Sequence, residues 1–219
     1  MVRAGIDSGG RLASRAVSKQ ATRQALVAAA RDLFVCRGFD SVTVDDIVAA
    51  AGVSQRTFFR YFPSKMDAAF PNHYERVRVL VGLLAAHRDP ERPLLGVRSA
   101  LAEYVKYYAK SRDDLLAEFR YVLASKDLAA RDADNDGHYE AAIVEALARA
   151  GLSGHRAGVL GGVIFGGIRA TVFEWFSGGC RGDLRRLSGE LLAVLERLAD
   201  DEPGTRARRR PRARSGGNG

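Results

Sequence analysis

The stretch Thr43-Val-Asp-Asp-Ile-Val-Ala-Ala-Ala-Gly-Val-Ser-Gln-Arg-Thr-Phe-Phe-Arg-Tyr-Phe-Pro63 constrains this chain more than any other. Thr43 can cap the free amides of a first helical turn, and Asp45 and Asp46 suit the positive end of that helix. The spacing from Thr43 to Asp46 is that of a capping box with Asp in place of the usual Glu. Ile47, Val48 and Ala49 to Ala51 carry the helix to Gly52, which supplies a positive-φ turn residue at no Cβ cost. Val53 plugs the corner, Ser54 caps a second helix over residues 55–62, and Pro63 ends it. The three alanines are expected to keep the first helix slim enough for the second to cross closely. Phe58 and Phe62, four apart, turn inward with Phe34, Phe39, Val44 and Ile47. The opposite face is then Gln55, Arg56, Thr57, Arg60 and Tyr61, polar and basic as a major-groove reader must be. The reading is a helix-turn-helix at residues 43–62.

The rest of the chain also reads as helix. From residue 18 to 37, Ala21, Ala25, Leu26, Ala29, Ala30, Leu33 and Phe34 recur at spacings of three and four, and Gly38 stops the pattern. Ser64 caps a further helix over 65–87, which Pro71 should kink or split. A turn at 88–93 precedes helices over 94–110 and 113–125. Residues 127–137 are acidic and poor in apolar side chains, and read as a loop or frayed helix. Helices follow at 138–150, 154–177 and 184–198. No strand pattern and no internal repeat is visible. The expected class is all-α. A three-helix DNA-binding domain (18–64) precedes a helical domain (65–202), between a disordered basic arm (1–17) and a disordered Arg-rich tail (203–219).

Where the charge sits matters more than its total of +8. Residues 1–63 carry a net +4, residues 64–202 a net −2, and residues 203–219 six arginines and no acid. Basic ends on a near-neutral body favour a polyanionic partner. Cys36 and Cys180 lack metal-ligand spacing and read as buried free thiols. His73, His87, His138 and His155 form no ligand grouping, so neither metal nor cofactor is expected. No Ser/His/Asp set, phosphate-cradling loop or inward Glu-x-x-His pair supports a helical-bundle enzyme. The longest apolar run, 157–168, has 12 residues and five glycines, short of the roughly 18 a membrane span needs. The Arg-rich tail lacks the apolar face a membrane-surface helix requires. A cytoplasmic chain is expected.

Residues 52–65, Gly-Val-Ser-Gln-Arg-Thr-Phe-Phe-Arg-Tyr-Phe-Pro-Ser-Lys, with the upstream Gly38-Phe39, Val42-Thr43-Val44, Ile47 and Ala50-Ala51, resemble the recognition segment of the TetR family of transcriptional regulators. The likeness spans roughly residues 19–66. It implies that Gln55, Arg56, Thr57 and Arg60 enter the major groove of an operator, Arg56 as the candidate for guanine and Gln55 for adenine. It implies phosphate contacts from Thr43, Ser54, Tyr61 and Lys65. Phe59 stands where the family often has Tyr, and is expected against a sugar or a thymine methyl. Thr43 and Ser54 serve equally well as helix caps alone. The arm residues Arg3, Arg11, Arg15, Lys19 and Arg23 could reach a minor groove.

The resemblance also implies that the second domain dimerises and binds a small effector. Gly158, Gly161, Gly162, Gly166 and Gly167 leave a flat stripe on the long helix, and the leucines of 184–198 offer a partner surface, so a homodimer through residues 154–198 is expected. Tyr104, Tyr108, Phe119, Phe165, Phe173 and Trp175, with Arg120 and Arg169 as polar members, are the candidate pocket for an apolar or amphipathic effector. The ligand-domain pattern further resembles actinobacterial regulators of the mycofactocin type, some of which respond to acyl-CoA. Repressor is the mode the family implies; an activator or a ligand-independent DNA-binding protein fits the residues equally. Effector binding would move the Pro71-kinked helix and pull the two reading heads out of register.

Overall fold

A computed structural model of the chain describes the backbone of residues 8–200 and the side chains of residues 18–198. The expected Arg-rich tail at 203–219 and Arg3 of the arm lie outside the described residues. Ten α-helices run through the described residues: α1 (Ser8–Arg37), α2 (Val44–Ala51), α3 (Gln55–Tyr61), α4 (Lys65–Ala69), α5 (His73–Ala86), α6 (Pro93–Tyr108), α7 (Arg112–Ala124), α8 (Lys126–Arg149), α9 (Gly154–Ser177) and α10 (Leu184–Asp200). A short 3₁₀ turn, Ala109–Ser111, joins α6 to α7.

The chain forms two compact units. One comprises the residues up to Asn72 together with Ala117–Asp132; the other comprises His73–Leu116 and the residues from Ala133 on. A single cut at 64/65 therefore misses part of the first unit. Within it, Leu26, Ala30 and Phe34 of α1, Ile47 and Val48 of α2, Phe58 of α3 and Phe70 form one buried cluster with Tyr121, Val122 and Leu128. Tyr121 belongs there because its ring meets Phe34 edge-on at 5.5 Å and its hydroxyl donates to the Ala69 carbonyl at 2.6 Å. Ser125 Oγ also meets Asp40 at 3.2 Å. In the second unit α6 packs against α5 and α10, and α10 against α9. Leu80, Leu94, Val97, Leu101, Ile143, Leu147, Ile164 and Leu195 are its buried centre.

Pro71 splits the expected 65–87 helix into α4 and α5, as a missing N–H inside a helix dictates. Three expectations fail. The first helix starts at Ser8 rather than residue 18, running through Gly9 and Gly10 and then without Pro or Gly from residue 11 to 37. Residues 127–137 are the first half of one continuous helix, α8. Leu128 and Asn135 are buried there, Arg131 lies 3.8 Å from Asp67, and Asp136 pairs with Arg169 at 2.6 Å. Those partners hold as helix a segment whose sequence looks too polar to pack. Finally, α9 is long and apolar enough by composition to cross a membrane. Counting the apolar run only to residue 168 stopped at the single charge of Arg169, whereas the helix continues beyond it through Ala170, Val172 and Phe173. Ala157, Gly161, Ile164, Trp175 and Phe176 of α9 are buried within the second unit.

Candidate nucleic-acid interface

The turn between α2 and α3 is built by caps. Thr43 Oγ1 accepts from the Asp46 amide at 3.1 Å, and Asp46 Oδ2 accepts from the Thr43 amide at 2.8 Å, closing the expected box. Arg37 adds a hydrogen bond of 3.1 Å to Asp46. The Thr43 amide and hydroxyl, then Arg37, hold the Asp46 carboxyl down at about 2. At the other end Gly52 takes φ +66, and the Val53 amide closes onto the Val48 carbonyl at 3.0 Å. Ser54 then caps α3 through the Thr57 amide at 3.2 Å. Ser64 caps α4 through Asp67 at 3.2 Å.

Phe58 is fully buried and Phe62 nearly so, which fixes the rotation of α3. Gln55, Arg56, Phe59 and Arg60 consequently face outward, with Thr57 and Tyr61 half-buried. Gln55 Nε2 donates to Asp45. Thr57 Oγ1 sits 3.1 Å from Ser54 Oγ. The Arg60 guanidinium lies 5.2 Å from the Tyr61 ring centre, and Tyr61 packs against the core as well. Phe59 stands half exposed, edge-on to Phe58 at 5.3 Å. Arg56 is exposed and makes no hydrogen bond or ion pair among the described residues. The result is an outward-facing strip in which the Arg56 guanidinium is free among the described residues, with oriented amide, hydroxyl and aromatic groups beside it. Such a strip can form bidentate bonds to base edges and cross the flanking phosphates.

Several assigned residues do something else. The Lys65 ammonium donates to the carbonyls of Phe39 and Val42, both at 2.8 Å, and sits 4.1 Å from the Phe39 ring centre. It staples α4 to the α1–α2 turn. Arg23, read as part of a free arm, donates to the Pro71 carbonyl and lies 5.6 Å from the Phe62 ring centre. Ala49 and Ala50 face outward, so only Ala51 helps α2 and α3 approach. Cys36 is exposed rather than buried, because the inward face of α1 is set by Leu26, Ala30 and Phe34; Cys180 is buried as expected.

The eight candidate pocket residues are dispersed. Phe119 and Arg120 belong to the first unit. In the second, Tyr104 and Tyr108 are neighbours at 6.0 Å, and Phe165 packs on the same cluster. Trp175 is buried near the C-terminus of α9, where its indole N–H donates to the Gly182 carbonyl at 2.8 Å. Phe173 is exposed and Arg169 is tied to Asp136. Reading the sequence missed the polar side chains that gather on α8 and at the start of α5. Tyr139 lies 5.4 Å from the His73 ring, and His73 Nε2 is 2.9 Å from His138 Nδ1. Asn135, a turn before Tyr139, is buried. The signal was there: 128, 135, 139, 143 and 147 fall on one helical face. A helix broken at residue 137 conceals it.

Residues 26–67 match the family model described as bacterial regulatory proteins, tetR family. The chain is 43% identical over 53 residues to MftR of Mycobacterium tuberculosis, a regulator named for mycofactocin biosynthesis, covering 24% of this chain and 27% of that one. It is 44% identical over 79 residues to the HTH-type transcriptional regulator TcmR of Streptomyces glaucescens, covering 36% of this chain and 35% of that one. The matches thus span about a third or less of these relatives. FadR of Bacillus subtilis, solved in complex with stearoyl-CoA, shares the fold at a TM-score of 0.55 and 19% identity, over 78% of this chain and 96% of that one.

Proposed function

We propose that this chain, whose residues 26–67 match the tetR family of bacterial regulatory proteins, is a cytoplasmic, effector-released repressor of that family that binds a two-fold symmetric operator as a homodimer. The observation that carries this reading is the α3 strip, in which Phe58 and Phe62 are buried and Arg56 is left free beside Gln55 and Arg60. Gln55, Arg56, Thr57 and Arg60 read bases in the major groove. Thr43, Ser54 and Tyr61 meet phosphates, and Phe59 offers its half-exposed ring to a sugar or thymine methyl. Lys65 supports them by holding α4 in place.

A single strip reads only a few base pairs, and a two-fold dimer doubles the site. Val159, Val163 and Phe173 of α9 and Val194 and Leu198 of α10 are large apolar side chains left exposed. Gly158 and Gly166 have open space around them on α9. These two helices are the dimer face. An effector held in the second unit acts through the chain where it passes between units, first at Asn72–His73 just after the helix-breaking Pro71. Changing the separation of two heads in a dimer removes half-site register. A protein of like fold is solved with stearoyl-CoA, which supports a ligand-binding role for the helical part.

Selection of duplexes from a randomised pool by the full chain tests the reading. It should enrich an inverted repeat whose half-sites lie about one helical turn apart, roughly 10 base pairs. Enrichment of a single unrepeated site, or of none, contradicts it.

A further inference from the structure

Two adjacent acids open α2, and only one of them serves the capping box. Asp46 is held by the Thr43 amide and by Arg37. Asp45 is exposed and takes no part in the box. Its carboxylate instead accepts a hydrogen bond from Nε2 of Gln55, ten residues on, at the first position of α3. The bond reaches across the Gly52 turn, from the first turn of one helix to the first turn of the next. The N-terminal residues of a recognition helix are the ones that meet base edges. A carboxylate beside them repels the phosphates of a duplex, and Asp46 already complements the positive end of α2.

The bond decides which way Gln55 points. A carboxamide carries two donor hydrogens on nitrogen and an acceptor on oxygen, and half a turn of the amide exchanges them. An ionised carboxylate only accepts. With Asp45 beside it, the Gln55 nitrogen is pinned to the Asp45 side, because turning the amide over sets oxygen against oxygen. Oε1 is left facing away as an acceptor, and Nε2 keeps its second hydrogen. In the major groove adenine presents the complement, the N6 donor beside the N7 acceptor. Guanine presents N7 and O6, and thymine presents O4 and a methyl, so neither offers Oε1 a hydrogen. Resting on the DNA reading above, we propose that Asp45 is a positioning residue for base selection. It locks the Gln55 carboxamide so that one position of each half-site takes adenine and rejects guanine and thymine.

The test uses the full chain in selection from randomised duplexes. Gln55→Ala marks the position that Gln55 serves, as the one whose preference it abolishes. Affinities are then compared for duplexes carrying adenine or guanine there. The unaltered chain should prefer adenine at least about ten-fold, and Asp45→Asn less than about three-fold, because an Asn amide donates as well as accepts and lets Gln55 turn over. Every other position should keep its preference. In the Gln55→Ala background, Asp45→Asn should leave that position unchanged. An adenine preference that Asp45→Asn retains in full overturns the proposal, with or without the uniform tightening that loss of a phosphate-repelling charge gives. A response to Asp45→Asn that persists in the Gln55→Ala background places Asp45 itself on the base and overturns it as well, as does a Gln55→Ala variant that loses no preference. In each of these cases an inverted repeat enriched by the unaltered chain leaves the DNA reading standing. Enrichment of no repeat defeats that reading, and the role of Asp45 with it.

Discussion

Replacing Lys65 with Met separates two roles that the same side chain could hold. Its ammonium donates to two carbonyls at 2.8 Å and lies over the Phe39 ring at 4.1 Å. A hydrogen bond to a charged group contributes about 1.5–3 kcal/mol, and a cation–π contact at a partly exposed site about 0.5–1 kcal/mol. Lys65 is only half-buried, so water recovers part of that loss, and Met keeps most of the apolar stem packing. A net destabilisation of about 2–4 kcal/mol follows. Urea unfolding followed by circular dichroism measures it. Affinity for the selected duplex as a function of salt measures the other role, since each lost phosphate contact flattens the log–log slope by about 0.9. The structure predicts a lower unfolding midpoint and an unchanged slope. Unaltered stability with a slope flattened by about 0.9 would refute the staple and restore Lys65 as a phosphate ligand.

Asp46 ties acid stability to the reading head. Its carboxyl sits at about 2 when folded against an ordinary 3.8, so the stabilisation is complete above about pH 4 and disappears as pH falls towards 2. Asp46→Ala should remove that part of the acid dependence, seen in circular dichroism melts over this range; an unchanged profile counts against the capping box. Gly161→Ala places a Cβ 2.3 Å from Val144 Cγ2 and should destabilise the second unit by about 1–3 kcal/mol, read as a lower melting temperature. Val163→Glu on the exposed face of α9 should give a monomer in sedimentation while helix content stays the same. A dimer that persists would place the partner surface elsewhere.

The reading head was legible because each of its features is local. Thr43, Ser54 and Ser64 cap within three residues, Gly52 turns alone, and Phe58 and Phe62 set a rotation four residues apart. Pro71 broke its helix where a missing amide must. What the sequence hid depends on partners distant along the chain. Residues 127–137 look like loop until Asp67 and Asp136–Arg169 are seen to hold them. Arg23 and Lys65 look like free cations until the Pro71, Phe39 and Val42 carbonyls appear beside them. Those bonds join residues 23 to 48 apart, and no periodicity announces such pairs. The pocket residues were chosen by composition, and composition does not say that Trp175 turns to Gly182 or that Asn135 faces inward.

Arg56→Ala, carried through the same selection from randomised duplexes as the unaltered chain, tests the central claim most directly. If Arg56 reads a base, the variant still enriches the inverted repeat. One base-pair position in each half-site then loses its preference, at a discrimination of about 1–3 kcal/mol, with non-specific affinity nearly intact. Uniform weakening on every sequence with the motif preserved would show that α3 meets only the backbone, and would contradict the account.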